Sequence, residues 1–294
     1  FKVPGVSRQG GHYKGRHRAV LCALKAHGRE GRYIKQPRSA GRNVDPMVKD
    51  EIIKRARSLS ISEIGFCRHR EKTAICCLFP YYVPGEVSRI SVYARGRDYH
   101  KVVREKMALL MADFDPEAEV FSDIGPPEDI PIAQKCGLGV KGKNGLLINK
   151  NLGSWFFIGY ALTSLDIEPD APSFSGCINC GKCSRACPGG AIGEKFVPEK
   201  CASFLTQKKG ELSPEEEAIV KKSGFVFGCD ICQSVCPMNA GKGESLSEFA
   251  GDRILCLDEE ELSSISNREF MRRYSSYAFS WRGKAPLLRN IKFF

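Results

Sequence analysis

The spacing of apolar positions changes period several times along this chain, and each change marks an element. After Met47, the run VKDEIIKRARSL places Ile52, Ile53, Ala56 and Leu59 on one side of an amphipathic helix. A second helix is predicted over 98–114, with Val102, Val103, Met107, Leu110 and Met111 facing inward. The unbroken apolar runs TAICCLF (73–79) and LLINK (146–150) read as buried strands, and WFFIGYALTSL (155–165) as a longer one. Pro126 and Pro127 open a shorter helix that Gly137 closes. Ser213-Pro214-Glu215-Glu216 sets an N-cap serine, a proline at the first helical position and a glutamate at the third, with Gly224 near the stop. From 246 onward the pattern is helical and polar, with Ser266 and Glu269 as a second capping box.

Composition sets the class. At 294 residues, with 42% hydrophobic and 27% charged, the chain is globular and long enough for one large or two modest domains. No window reaches the ~18 uninterrupted apolar residues of a membrane-spanning helix. The net charge of +11 is unevenly placed: residues 1–46 hold 11 Lys/Arg against Glu30 and Asp45, and the rest is nearly neutral. This leader (1–46) has few large apolar residues and is expected to be disordered, with Met47 as the natural start; a basic arm for RNA is the functional alternative. It lacks the apolar core of a secretory signal, so the expected location is cytoplasmic. Three parts are expected to follow: an α/β domain over 47–165, a module over 166–245 that begins with the linker-like DIEPDAPSFS (166–175), and a helical segment over 246–294.

Eight of the 14 cysteines fall into one pattern. Cys177-x2-Cys180-x2-Cys183-x3-Cys187-Pro188 has the bacterial ferredoxin spacing, in which the fourth cysteine serves the other cluster. A partial run follows, Cys229-x2-Cys232-x3-Cys236-Pro237, with Val226 where a further cysteine would complete it and Cys201 as the replacement. The count closes as two [4Fe–4S] sites, Cys177, Cys180 and Cys183 with Cys236, and Cys187, Cys201 and Cys229 with Cys232. Disulfides would call for secretion, and zinc for separated Cys-x2-Cys pairs. Cys22, Cys67, Cys76, Cys77, Cys136 and Cys256 stand outside the pattern, Cys76 and Cys77 reading as core.

Two other motifs are weaker. Gly137-Leu-Gly139-Val-Lys-Gly142 satisfies the dinucleotide fingerprint, but follows a helix and runs into a strand, the reverse of what phosphate binding needs. Asp98-Tyr99-His100 starts like a histidine-ligated cobalamin signature, yet Val103 occupies the position of its glycine.

Together the motifs resemble those of epoxyqueuosine reductases. The matching segments are YARGRDYHKVVRE (93–105), SDIGP (122–126), CGLGVKGKN (136–144) and GSWFFIGYALT (153–163), then the cysteine pattern, CASFLTQKKG (201–210), GCDICQSVCPMN (228–239), ISNREF (265–270) and SWRGKAPLLRN (280–290). The resemblance implies an α/β cobalamin-binding domain similar to that of reductive dehalogenases, a two-[4Fe–4S] ferredoxin-like module and a short helical tail. It also implies reduction of epoxyqueuosine in the tRNA anticodon loop, with electrons passing from the clusters to cobalamin and an external donor supplying them. By the same likeness Asp123 is the proton donor; Ser91, Leu147, Asn149, Ile158, Ser203 and Asp230 lie near the corrin; and Lys209 contacts tRNA. The segment CRHREKTAICCLFPYYVPGEVSR is trimmed relative to the family.

The chemistry is consistent with these residues. Epoxide opening leaves an alkoxide-like oxygen that a positioned acid can protonate, and an aspartate serves if burial raises its pKa. Arg95, Arg97, Lys208, Lys209, Arg282 and Lys284 could neutralise phosphates, while Tyr93 or Trp281 could stack on bases. The competing readings are a related cobalamin and iron–sulfur reductase of a small molecule, and an electron-transfer module.

Overall fold

The computed structural model describes residues 46–123, 128–172 and 176–294. The leader, Cys22, Pro126 and Pro127 lie outside these residues. Arg42–Phe294 is one compact unit.

Its sheet is built from β1 (Glu63–His69), β2 (Lys72–Pro80), β3 (Glu119–Phe121) and β6 (Phe156–Thr163), in the order β1-β2-β6-β3 with every neighbour antiparallel. A small antiparallel ribbon pairs β4 (Val140–Lys141) with β5 (Leu147–Ile148). Helices α1 (Pro46–Ser58) and α2 (Tyr99–Met111) pack on one face of the sheet, and α3 (Asp129–Lys135) on the other. The unbroken apolar run of β2 follows from this sandwich. Ile75, Cys77 and Phe79 point to the α1/α2 side, and Ala74, Cys76 and Leu78 to the α3 side. The five inward positions expected on α2 are all buried. Both faces are tightly approached: a Cβ at Gly159 would stand 2.5 Å from Val103 Cγ1, and one at Gly65 only 2.1 Å from the Cys136 carbonyl oxygen.

The second half is mostly short helices: α4 (Lys182–Ala186), α5 (Ala202–Gln207), α6 (Pro214–Ser223), α7 (Ile231–Ser234) and α8 (Ser247–Ala250), then α9 (Glu259–Ser264), α10 (Asn267–Tyr274) and α11 (Lys284–Ile291). The expected capping box of α6 is present in full, with Gly224 left-handed at the stop. At α10 only half forms: Ser266 accepts from the Glu269 N–H, while the Glu269 carboxylate binds Arg272 and Arg273.

Three differences from the sequence reading concern the ends of elements. The LLINK strand shrinks to Leu147–Ile148 because Asn149 turns the chain, its side chain accepting from Asn151 and Leu152 N–H groups. The strand at 155–165 stops at Thr163, whose hydroxyl bonds Asp115 and accepts from the Leu165 N–H. The linker-like 166–172 lies against β1, with Ile167 buried and Asp170 accepting from the Phe66 N–H and Lys49.

The two halves share their interior. Ile90 and Ala94 join Val226, Phe227, Phe270, Phe279 and Leu287 in one apolar cluster. Gln233 on α7 donates to Tyr81 Oη (3.2 Å) and Ser154 O (2.8 Å), and Asn239 donates to Gln233 O (2.8 Å).

Candidate active site

The cysteine-bearing loops form two separate groups of thiols. Gly181, left-handed at φ +70°, turns the chain into α4, and α4 packs beside α7. Cys177, Cys180, Cys183 and Cys236 line one small cavity. Cys187, Cys201, Cys229 and Cys232 line a second, of about 380 Å³. Burial pushes Cys229 and Cys232 up to about 12, so thiolates persist here only beside a cationic metal. The Ala191 N–H already points at Cys187 Sγ (3.3 Å), the kind of donor that supports a cluster sulfur. This donor set fits two iron–sulfur clusters. Cys67, Cys76, Cys77 and Cys136 are buried in the core, and Cys256 is exposed apart from both groups.

Away from the cysteines, the 380 Å³ cavity is walled by Leu147, Phe156, Phe157, Ile158 and Ile192. Asn144 also lines it, and its Nδ2 is buried without a partner. A flat apolar group with hydrogen-bond acceptors at its edge, such as a corrin with its side-chain amides, fits these walls and that orphaned donor. A larger cavity of about 860 Å³ adjoins, bounded by Arg104, Gln207, Phe227 and Trp281 among others. Tyr93, Tyr99, Asp123 and Ser203 line both cavities, so Asp123 stands where the two meet.

Asp98 caps α2, its carboxylate accepting from the His100 N–H and lying 2.8 Å from His100 Nδ1. This fixes the ring so that Nε2 faces Asp123 Oδ2 at 3.7 Å, while Tyr99 Oη donates to the same oxygen at 2.5 Å. Tyr99 is itself stacked flat on Phe157 at 4.1 Å. Asp123 takes the left-handed φ of +54°, a strained conformation for a non-glycine residue, which aims its carboxylate at these partners.

The electrostatics differ from the sequence expectation. The His100 imidazole, 3.7 Å away, does most to hold the Asp123 carboxyl below its ordinary range; burial works against this, and the hydrogen bond from Tyr99 adds to it. Burial pulls His100 down, but the nearby Asp123 carboxylate and the bonded Asp98 carboxylate outweigh it and raise the ring to about 9. The proton of this group therefore resides on the imidazole at neutral pH, not on a carboxyl raised by burial. Asp129, also on the cavity wall, is pushed up by desolvation. Neither His100 nor Asp129 stood out as functional in the sequence, because nothing local shows that a helix N-cap and the end of β3 converge.

Of the other expected residues, Leu147, Ile158 and Ser203 line the inner cavity, whereas Ser91, Asn149 and Asp230 do not. Ser91 donates to Asp230, which also accepts from the Val92 N–H (2.8 Å); this buried link ties the loop carrying Cys229 and Cys232 to the segment leading to Tyr93. Asn149 is engaged by Leu138 O, Glu63 and its own turn. Lys209 is exposed on a loop that Arg289 holds through the carbonyls of Lys208 and Gly210 (2.7 and 2.6 Å).

Three of the suggested phosphate contacts are engaged internally. Arg95 is buried against Glu86 and Ile90 O, Lys208 pairs with Glu216, and Lys284 caps the carbonyls of Leu262 and Ile265. Trp281 is 57% exposed, covered by the Arg282 guanidinium at 3.6 Å and bonded to Gln207. Gly137 and Gly139 lead from α3 into β4 and Gly142 follows it toward β5, a geometry with no helix N-terminus for a phosphate.

Comparison with known proteins agrees with this geometry. A family model described as 4Fe-4S double cluster binding domain matches residues 176–239, and one described as epoxyqueuosine reductase QueG, DUF1730, matches 67–123. An epoxyqueuosine reductase of Listeria monocytogenes is 40% identical over 69% of this chain and 56% of its own length. The chain thus spans little more than half of that relative. One from Synechocystis sp. is 34% identical over 72% of this chain and 79% of its own length. Among solved structures, epoxyqueuosine reductase from Streptococcus thermophilus superposes with a TM-score of 0.74 at 28% identity, covering 84% of this chain and 80% of that one. Another epoxyqueuosine reductase, solved with an epoxyqueuosine-modified tRNA-Tyr stem loop, gives 0.71 at 28% identity over the same shares. A catabolic reductive dehalogenase, NpRdhA, shares the fold at a TM-score of 0.50 and 18% identity, over 68% of this chain and 33% of that one. With its double-cluster cysteine pattern, its match to the epoxyqueuosine reductase model over 67–123 and a 34% identical relative matched over 79% of that relative's length, this chain belongs to the epoxyqueuosine reductase family.

Proposed function

We propose that this protein reduces epoxyqueuosine to queuosine in tRNA, using two [4Fe–4S] clusters and cobalamin. The observation that carries the proposal is the position of Asp123, at the junction of a thiol-lined apolar cavity and a larger one bordered by Trp281 and Arg104. Removing the epoxide oxygen as water, with formation of a carbon–carbon double bond, takes two electrons and two protons. Cobalamin bound in the inner cavity, fed by clusters on the two cysteine groups, would supply the electrons.

The chain's own residues handle the proton and the substrate. His100 holds a proton next to Asp123 Oδ2, and the carboxylate passes it to an oxygen seated at the cavity junction. Asp98 keeps the imidazole oriented. Tyr99, stacked on Phe157, holds Asp123 Oδ2 with its hydroxyl. Lys209, Arg97 and Arg282 are exposed and suited to phosphate contacts, with Trp281 suited to stacking on a base. The tRNA stem loop held by a family member supports the same substrate here, in the cytoplasm where tRNA is matured.

Anoxic reconstitution with iron, sulfide and cobalamin, followed by nucleoside analysis of epoxyqueuosine-containing tRNA, tests the proposal. Conversion to queuosine is expected. A protein that binds eight irons and one cobalamin but leaves the epoxide intact would redirect the reading to a small-molecule substrate.

A further inference from the structure

The three cavities, two of them lined by thiols, lie in series. Asp123 joins the substrate-side cavity to the inner thiol group, and Asn144 joins that group to the small cavity of Cys177, Cys180, Cys183 and Cys236. The small cavity shares no lining residue with the substrate-side one. At this far end Cys180 is exposed, and beside it Ile178 presents an apolar side chain that is 63% exposed.

The segments that build this far end are cationic, with the carboxylates Glu63, Glu194 and Glu244 at their margins. The segments that build it, 139–153, 176–193 and 231–243, contain Lys141, Lys143, Lys150, Lys182, Arg185 and Lys242 and no Asp or Glu. The segments are in contact. Val140 and Ile148 pack where a Cβ on Gly176 would stand, Arg185 donates to Cys180 O (3.2 Å), and Lys242 donates to Lys150 O (3.1 Å). None of the six cations forms an ion pair among the described residues. Glu63, the carboxylate that reaches Asn149 and Asn151, is held by both amides. The body as a whole is nearly neutral, so an unpaired cationic rim around an apolar tip is a local feature, and it favours a partner of opposite charge.

We infer that this face, the Cys177/Cys180/Cys183/Cys236 end with its lysine rim, docks an acidic protein that carries one low-potential electron at a time. The inference rests on the proposed function, since it assigns the electron entry of that same reaction. In each encounter the carrier loses one electron and the cluster held by these four cysteines gains it; no bond forms or breaks. The small apolar tip within a charged rim suits a brief encounter complex, in which charge governs association and little area is buried. A nucleic acid is the other polyanion that could meet lysines, but the large cavity bearing Asp123 lies at the opposite end of the series.

The experiment uses the reconstituted full chain with an acidic flavodoxin as the probe. Lys141 and Lys182 are exposed and make no side-chain hydrogen bond among the described residues, so Lys141→Glu with Lys182→Glu reverses rim charge without disturbing the fold. The double variant is expected to bind flavodoxin about tenfold more weakly or worse at low salt, and to show proportionately slower bleaching of its cluster absorbance by the reduced carrier. The difference should fade at high salt. Reduction by dithionite, iron content and affinity for a tRNA stem loop should be unchanged, and Lys141→Arg with Lys182→Arg should behave as the parent. Unchanged flavodoxin affinity in an iron-loaded variant would overturn the inference alone, as would a loss that appears with the tRNA stem loop instead. Failure of the parent protein to hold iron would overturn the proposed function and the inference with it.

Discussion

His100→Gln separates a proton held by the imidazole from one held by Asp123 alone. In the parent, His100 is raised from 6.5 to about 9 and keeps its proton across the neutral range. Glutamine preserves a polar, hydrogen-bonding side chain of similar reach but stores no proton. Asp123 then loses the partner that contributes most to holding it low, but Tyr99 remains, and its carboxyl is still ionised in nearly every molecule at neutral pH. The lone carboxyl is a stronger acid and transfers its proton faster, which offsets part of the deficit and leaves an expected loss of ~10²–10³-fold.

The assay is the single-turnover rate of queuosine formation in a tRNA stem loop, measured against pH with matched iron and cobalamin content. The parent should lose activity as pH rises through about 9. In the variant that limb moves to acid, so its deficit should shrink roughly tenfold per pH unit on acidification. A deficit that is constant across pH, or no deficit at neutral pH, would refute the reasoning.

Folding stability carries the opposite signature at its two ends. Because His100 is raised, its contribution is complete below 6.5 and disappears as pH rises through about 9; because Asp98 and Asp123 are lowered, theirs disappears as pH falls below 3.8. Chemical denaturation across pH should show a plateau between these limits, and His100→Gln should flatten its alkaline edge. Cys201→Ser should lower iron content and alter the cluster spectrum, whereas Cys76→Ser, in the core behind β2, should leave both unchanged. Asp129→Asn should keep the alkaline limb of the rate profile, since the proton counted there belongs to His100. Gly65→Ala should destabilise the fold by about 1–3 kcal/mol in denaturant melts, because the added methyl would overlap the Cys136 carbonyl oxygen.

The sequence was most informative where a local rule decides the outcome. The α2 face, the apolar run of β2 and the Ser213 box each depend on residues within a few positions, and the structure shows them as expected. The two cysteine groups were legible for the same reason, since ferredoxin spacing leaves few ways to divide eight thiols. What sequence could not show was long-range. Arg95 looks like any surface cation until Glu86 and Arg253 are seen around it in the interior. Asp230 and Ser91, 139 positions apart, turn out to brace the cysteine loop through a buried bond that no spacing reveals. The Asp98–His100–Asp123 arrangement spans a helix cap and a strand end, so a tripeptide that resembled half of a cobalamin signature is part of a clustered carboxylate–imidazole group.

The central claim is that the epoxide is reduced at the cavity junction with Asp123 delivering the proton. Asp123→Asn keeps the shape of the side chain and can still hydrogen-bond Tyr99, but it cannot release a proton to a departing oxygen. The most direct measurement is the single-turnover rate of epoxyqueuosine conversion by this variant and the parent, each verified to carry eight irons and cobalamin. The account predicts a rate at least ~10²-fold below the parent with cofactor content unchanged. An Asp123→Asn protein that forms queuosine at the parental rate would contradict it.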